Sequence, residues 1–101
     1  MLVISPRAAE DLADIYRYGT QHWGEGQAAH YLDMIKDQIW TLTRHPEIGA
    51  QRDNLLSHVR SLPTRSHIIF YRYSKATVEV IRILQSRQDP ERHIHMTTQL
   101  T

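Results

Sequence analysis

The fold of this chain is decided by two runs and the break between them: His67-Ile68-Ile69-Phe70-Tyr71-Arg72-Tyr73, then Ser74-Lys75-Ala76, then Thr77-Val78-Glu79-Val80-Ile81-Arg82-Ile83-Leu84. Both runs are rich in β-branched and aromatic residues, and a short polar connection separates them, which is typical of a β-hairpin. Neither run alternates cleanly, because apolar groups fall on both faces of each strand. We therefore predict two interior strands of a larger sheet.

Two helices are predicted ahead of the hairpin. Ser5-Pro6 fits an N-cap followed by proline at the first helical position. Apolar residues, including Leu12 and Ile15, then recur at helical spacing as far as Trp23. A second helix is predicted from about Glu25 to Arg44, because the proline after His45 disfavours further helix. The short link between them predicts an antiparallel helical hairpin.

The remaining segments complete an α+β domain in the order β-α-α-β-β-β. Met1 to Ile4 is a short predicted strand, residues 46–56 are a predicted loop in which Gly49 can take a positive φ, and Val59 to Pro63 is a weak strand. We predict a two-helix antiparallel hairpin packed on one face of a mainly antiparallel four-stranded sheet, with the opposite face open.

The C-terminal end lacks a clear pattern. Asp89-Pro90 can cap one short helical turn, but the chain from His93 onward has no periodicity. We therefore expect one domain over residues 1–96 and a flexible C-terminal tail over residues 97–101.

Composition excludes several classes of protein. At 101 residues the chain is long enough for a single core. No apolar run approaches the roughly 18 residues of a membrane span, and no signal peptide opens the chain. Cysteine is absent, so disulfides and thiolate chemistry are excluded. We expect a cytoplasmic protein with no cofactor and no membrane contact.

The net charge of +1 hides an asymmetry between the two halves of the chain. Residues 1–51 hold four basic and seven acidic residues, whereas residues 52–101 hold eight basic and four acidic ones. The sheet half is thus the cationic half and the candidate contact face for an anionic partner. The alternative is that its arginines pair with Glu79, Asp89 and Glu91 and serve solubility alone.

Several short patterns together resemble the ParE toxins of bacterial toxin–antitoxin pairs. They are Ser5-Pro6 before an Ala-Asp-Leu-rich helix, Trp23-Gly24 with Gln27 and Tyr31-Leu32, His45-Pro46-Glu47-Ile48-Gly49, Ile69-Phe70-Tyr71-Arg72, and Ile81-Arg82-Ile83-Leu84 followed by Asp89. The resemblance covers about residues 2 to 92. The larger RelE/ParE superfamily has the strand–helix–helix–three-strand order predicted above.

The resemblance implies a toxin that inhibits DNA gyrase by binding, with no chemistry of its own. We expect the target, gyrase or DNA held in the gyrase complex, to contact five arginines on the cationic half: Arg60, Arg65, Arg72, Arg82 and Arg87. The alternative is a RelE-like ribosome-dependent mRNA endoribonuclease. RNA cleavage needs a proton acceptor, a proton donor and cations, and Arg65, Arg87 and His93 are the residues that would supply them.

The resemblance also implies a ParD-like antitoxin whose C-terminal segment wraps the toxin, so a dimer or a hetero-oligomer is expected. Candidate contacts are Tyr16, Tyr18, Trp23 and Tyr31. Two weaker hypotheses remain open. His93 and His95 could share a metal ion, but the ligand set is too small for a stable site, and we expect none. Glu10, Asp11 and Asp14 could be paired carboxylates of a hydrolase, but they fit a solvated helix face better.

Overall fold

The computed structural model describes the backbone of residues 1–99 and the side chains of residues 1–94. This part of the chain folds into five strands and three helices: β1 (Leu2–Ile4), α1 (Pro6–Trp23), α2 (Glu25–Arg44), β2 (Ala50–Gln51), β3 (Val59–Thr64), β4 (His67–Ser74), β5 (Thr77–Gln85) and α3 (Pro90–Gln99). The predicted hairpin is β4–β5, and both predicted helices are confirmed.

The strands form a single sheet in the order β1-β5-β4-β3-β2, with β1 parallel to β5 and the other neighbours antiparallel. The mixed α+β architecture is as predicted, but the sheet has five strands instead of four. The additional strand is Ala50–Gln51, which pairs with Ser61 and Arg60 inside the segment predicted to be a loop. Two residues are too few to show a strand pattern in a sequence.

Helices α1 and α2 cover one face of the sheet. The core beneath them includes Ala8 and Ile35 from the helices and Ile69, Tyr71 and Val80 from the hairpin, all at most 1% exposed. The partly buried Leu12 and Ile15 pack against the same core. The apolar stripes of the two helices therefore serve the core, as their spacing predicts.

The opposite face of the sheet is covered by the chain itself, so the prediction of an open face was wrong. A second core holds Phe70 and Ile81 from the hairpin, Leu55 from the segment after β2, and Ile94 from α3. Apolar residues on both faces of β4 and β5 require cover on both sides, since exposed apolar area is unfavourable. The sequence showed that requirement but did not identify the covering segments.

The C-terminal segment also differs from the prediction, because it forms a helix, α3. It runs over Pro90–Gln99, ten residues, where one short turn and an aperiodic tail were expected. Asp89 Oδ1 accepts a hydrogen bond of 3.1 Å from the backbone N–H of Glu91, as a helix cap does. The first three residues of the predicted tail, 97–99, are helical, and residues 100 and 101 lie outside the described part of the chain. Within residues 1–99, none of the helices combines the length and apolar content that crossing a membrane requires.

Candidate functional site

A groove of about 960 Å³ lies beside α1. One wall is α1, which contributes Glu10, Asp11, Asp14, Ile15, Tyr18 and Trp23. The other wall is made by the β3–β4 turn, the end of β5, the loop after it, and α3, which contribute Arg65, Ser66, His67, Arg82, Gln85, Arg87, Gln88 and His93. Tyr31 reaches the groove from α2.

A buried ion pair joins the two walls of the groove. Arg82 donates to both carboxylate oxygens of Asp11, from Nε at 2.8 Å and from Nη2 at 2.9 Å, and the two side chains are only 6% and 11% exposed. This corrects two predictions. Asp11 does not belong to a solvated helix face, and Arg82 is not available as a target contact. Such bidentate pairs are geometrically specific, so this one fixes α1 against β5.

The Asp11–Arg82 pair forms at the edge of β5 because β1, the strand beside it, is shorter than β5. β1 ends at Ile4, opposite Val80, whereas β5 continues to Gln85. Side chains of the next helix then satisfy the edge of β5: Ser5 Oγ donates to the Ile81 carbonyl at 2.8 Å, and Asp11 Oδ2 accepts from the Ile83 N–H at 2.9 Å. These bonds satisfy buried backbone groups that no strand reaches.

Tyr31 holds the turn that carries Arg65. Its hydroxyl accepts a 3.2 Å hydrogen bond from the Ser66 N–H and lies 2.7 Å from His67 Nδ1. When the hydroxyl donates to Nδ1, the neutral ring carries its proton on Nε2. Burial lowers the pKa of His67, against the opposing effect of the Asp11 carboxylate. Tyr31, predicted as an antitoxin contact, is thus half-buried and already engaged in the fold.

Two of the five predicted target-binding arginines line the groove with no ion pair. The side chains of Arg65 and Arg87 are exposed, and neither has a hydrogen-bond or salt-bridge partner within residues 1–94. Their turns are joined, because the Ser86 N–H donates to the Ser66 carbonyl at 2.9 Å. Among residues 1–94, therefore, two guanidiniums on adjoining turns at one wall have no ion-pair partner.

The other two predicted arginines have structural partners outside the groove. Arg60 donates to the carbonyls of Glu47 and Gly49, at 3.2 and 2.8 Å, and so fixes the segment before β2. Arg72 donates to Glu79 Oε1 at 3.1 Å, which is the pairing that the alternative reading of the charges predicted. The five arginines thus do not form one surface.

The segment fixed by Arg60 is also anchored by Tyr71. Its buried hydroxyl donates to the Pro46 carbonyl at 2.8 Å and accepts from the Gly49 N–H at 2.9 Å. Burial raises the pKa of Tyr71, and the bond to Gly49 opposes that shift. A Cβ on Gly49 would lie 2.5 Å from this hydroxyl, so glycine is needed there for close approach. The positive φ expected at Gly49 is wrong, because Gly24 is the glycine with positive φ among the described residues.

Aromatic side chains occupy the far end of the α1 wall. Tyr18 is 49% and Trp23 is 55% exposed. The Tyr18 ring stacks on His22 with centroids 3.9 Å apart and meets Trp23 edge-on at 5.8 Å. Tyr16, also exposed, does not line the groove. Two of the four predicted antitoxin contacts, Tyr18 and Trp23, therefore lie on the groove about half exposed.

The residues proposed for RNA cleavage also meet here. Arg65, Arg87 and His93 all line the groove, and α3 gives His93 an ordered position that the sequence did not predict. Sequence reasoning also missed His67, which lies at the same wall. The only feature of the sequence that points to His67 is its position at the start of β4, two residues after Arg65. The groove thus contains two imidazoles and two arginines that have no ion-pair partner within residues 1–94.

The fold is similar to that of chains from two solved toxin–antitoxin systems. It superposes on a chain of the chromosomal ParDE toxin–antitoxin system from P. aeruginosa with a TM-score of 0.73, at 24% identity, over 83% of this chain and 92% of that chain. It also superposes on a chain of the heterotetrameric YoeB–YefM toxin–antitoxin complex from Staphylococcus aureus, with a TM-score of 0.56 at 16% identity, over 87% of this chain and 97% of that one.

The sequence comparisons give the family. The family model of the ParE toxin of the type II toxin–antitoxin system, parDE, matches residues 2–90. Toxin ParE1 of Caulobacter vibrioides is 36% identical over 90% of this chain and 94% of its own length. Toxin ParE1 of Mycobacterium tuberculosis is 32% identical over 91% of this chain and 95% of its own. The chain belongs to the ParE toxin family of type II toxin–antitoxin systems.

Proposed function

We propose that this toxin inhibits DNA gyrase by binding and is neutralised by a ParD-like antitoxin. The observation that carries the proposal is the match of the ParE toxin family over residues 2–90. The groove supports it physically. Arg65 and Arg87 are exposed and unpaired within residues 1–94, so their charges are available to an acidic protein surface or to DNA held by gyrase.

The antitoxin would act by covering the same groove. Tyr18 and Trp23 lie on one wall and the two free arginines on the other. A segment that folds on binding and buries the aromatic wall would exclude the target from the arginines. Neutralisation would then need no conformational change in the toxin.

Supercoiling of relaxed plasmid by purified gyrase tests the target. We expect added toxin to inhibit the reaction. The double variant R65Q/R87Q should need at least about tenfold more protein for the same inhibition, because one lost charge-assisted contact is worth about 1.5 kcal/mol. The matched control is R44Q, since Arg44 is exposed on α2 and does not line the groove. Undisturbed supercoiling at saturating toxin would refute the gyrase proposal.

Pull-down with the cognate antitoxin tests the second part. The substitutions Tyr18→Ala and Trp23→Ala should weaken the complex, because buried aromatic anchors carry much of the energy of protein interfaces. The substitution Trp40→Ala is the control, since Trp40 is 56% exposed but lies on α2 outside the groove. Equal effects of the Trp23 and Trp40 substitutions would exclude the groove as the antitoxin site.

A RelE-like ribonuclease is the second candidate, and the meeting of Arg65, Arg87 and His93 at the groove favours it. In that reaction the RNA 2′-oxygen attacks the adjacent phosphorus and gives its proton to a base, while the departing 5′-oxygen receives a proton from an acid. His93, whose imidazole lines the groove, is the residue that would take or give one of these protons. Translation-coupled mRNA cleavage that His93→Gln abolishes, with gyrase unaffected, would establish this candidate in place of the first.

A further inference from the structure

We propose that the groove binds single-stranded polynucleotide, with phosphates on the arginine wall and bases on the aromatic wall. This goes beyond gyrase inhibition and neutralisation by an antitoxin, because it concerns a ligand that the toxin binds in the absence of either protein.

Four arginines and three carboxylates line the groove. All three carboxylates that line it have an arginine partner: Glu10 with Arg7 at 3.7 Å, Asp11 with Arg82 at 2.8 Å, and Asp14 with Arg17 at 2.7 Å. Arg65 and Arg87 have none within residues 1–94. An anion entering the groove thus meets free guanidiniums, which suit phosphate by their planar, forked geometry.

The two turns that carry these arginines are held in place. Tyr31 fixes the first turn through the Ser66 N–H, as described above. The second is closed by the Gln85 N–H, which donates to Gln88 Oε1 at 2.8 Å, and by the Gln88 N–H, which donates to the Gln85 carbonyl at 3.0 Å. Since the Ser86 N–H also joins the turns, less entropy is lost when both arginines bind one chain of phosphates.

The aromatic wall distinguishes this ligand from other anions. Tyr18 and Trp23 are about half exposed on the groove, and neither belongs to the two cores; one face of the Tyr18 ring is stacked on His22. Base stacking on such rings is tolerant of sequence and accompanies a cationic groove in proteins that bind single strands. A duplex keeps its bases stacked internally and so cannot use this wall.

Fluorescence anisotropy with labelled dT15 and rU15 at low salt tests the proposal on the full chain. Because single-strand binding releases about 0.7 counterion per neutralised phosphate, two contacts predict a slope of about −1.4 in log K against log salt. R65Q/R87Q should reduce that slope to near zero, and R44Q should leave at least half of it. A preference between the DNA and RNA arms identifies the source of the ligand.

Tryptophan fluorescence tests the aromatic wall. The chain has two tryptophans, so Trp40→Phe leaves Trp23 as the sole reporter and Trp23→Phe leaves Trp40. We expect dT15 or rU15 to quench the first variant only, and Trp23→Ala to weaken binding at least about fivefold. Circular dichroism of each variant verifies that it remains folded.

Three results would overturn the proposal: no binding at low salt, equal loss of affinity in R44Q and R65Q/R87Q, or equal binding of poly-glutamate without quenching of Trp23. The last would assign the groove to an acidic peptide. These outcomes are separable from the proposed function, because gyrase inhibition that persists without polynucleotide binding refutes this inference alone.

Discussion

Removing the Asp11 carboxylate is the sharpest test of how this fold is held together. Asp11 and Arg82 are 71 residues apart in sequence, almost fully buried, and joined by two hydrogen bonds of 2.8 and 2.9 Å. In Asp11→Ala the Arg82 guanidinium would stay buried without this partner, and the Ile83 N–H would lose its acceptor. Removing one member of a buried ion pair costs about 3–5 kcal/mol.

That loss is a large part of the total stability, since small domains unfold with about 5–15 kcal/mol. Urea unfolding followed by circular dichroism would measure it. Asp14→Ala is the matched control, because Asp14 lies one turn along the same helix in an exposed pair with Arg17, where the loss is about 0–1 kcal/mol. The double variant D11L/R82L should recover part of the stability, because replacing both partners leaves no buried charge.

The salt dependence provides a second readout. Buried pairs are screened little by ions, so the difference between Asp11→Ala and the wild type should persist in 1 M NaCl. A loss below about 1 kcal/mol for Asp11→Ala, equal to that of Asp14→Ala, would refute the view that this pair is the anchor of α1 on the sheet.

Three further predictions concern other anchors of the fold. Ser5→Ala removes the α1 N-cap and the bond to β5, so the free energy of unfolding should fall by about 1–2 kcal/mol in the same urea assay. Tyr71→Phe leaves the segment before β2 without its buried hydroxyl partner and should cost about 1–3 kcal/mol; an unchanged urea midpoint would contradict the anchor. The pKa of His67 is lowered in the folded chain, so between that lowered pKa and the ordinary histidine value of 6.5 the unfolded chain binds more protons. Stability should therefore fall as pH drops from 6.5 towards the lowered pKa, and His67→Gln should remove that part of the pH dependence.

The hairpin and the helical hairpin were predictable because each is a local pattern. Strand β4 shows a dense β-branched and aromatic run, and Ser5 with Pro6 marks the start of α1 through a cap that the structure confirms. Such signals depend on residues close in sequence. They give the order of elements and, by packing rules, the two-layer arrangement.

The groove was not predictable in the same way. Asp11 has the sequence context of an exposed helix carboxylate, and only the early end of β1 brings it to the edge of β5. The need for a second core was predictable, since apolar residues lie on both faces of the hairpin. The residues that complete it were not, because Leu55 and Ile94 are isolated apolar residues in segments without periodicity. Contacts between distant single residues carry no pattern in one sequence.

The positions of the five arginines show why a count of charges in the sequence overestimates the number of residues available for binding. Arg82 holds α1 on the sheet, Arg60 fixes the segment before β2, and Arg72 pairs across to β5. Substituting these three would change the fold and any activity together. Arg65 and Arg87 have no side-chain partner within residues 1–94, so their substitution removes charge from the groove without removing a described contact. If substitution of Arg65 or Arg87 abolishes function and leaves stability unchanged, the loss can therefore be attributed to binding. Substitutions of Arg60, Arg72 and Arg82 can test only the fold.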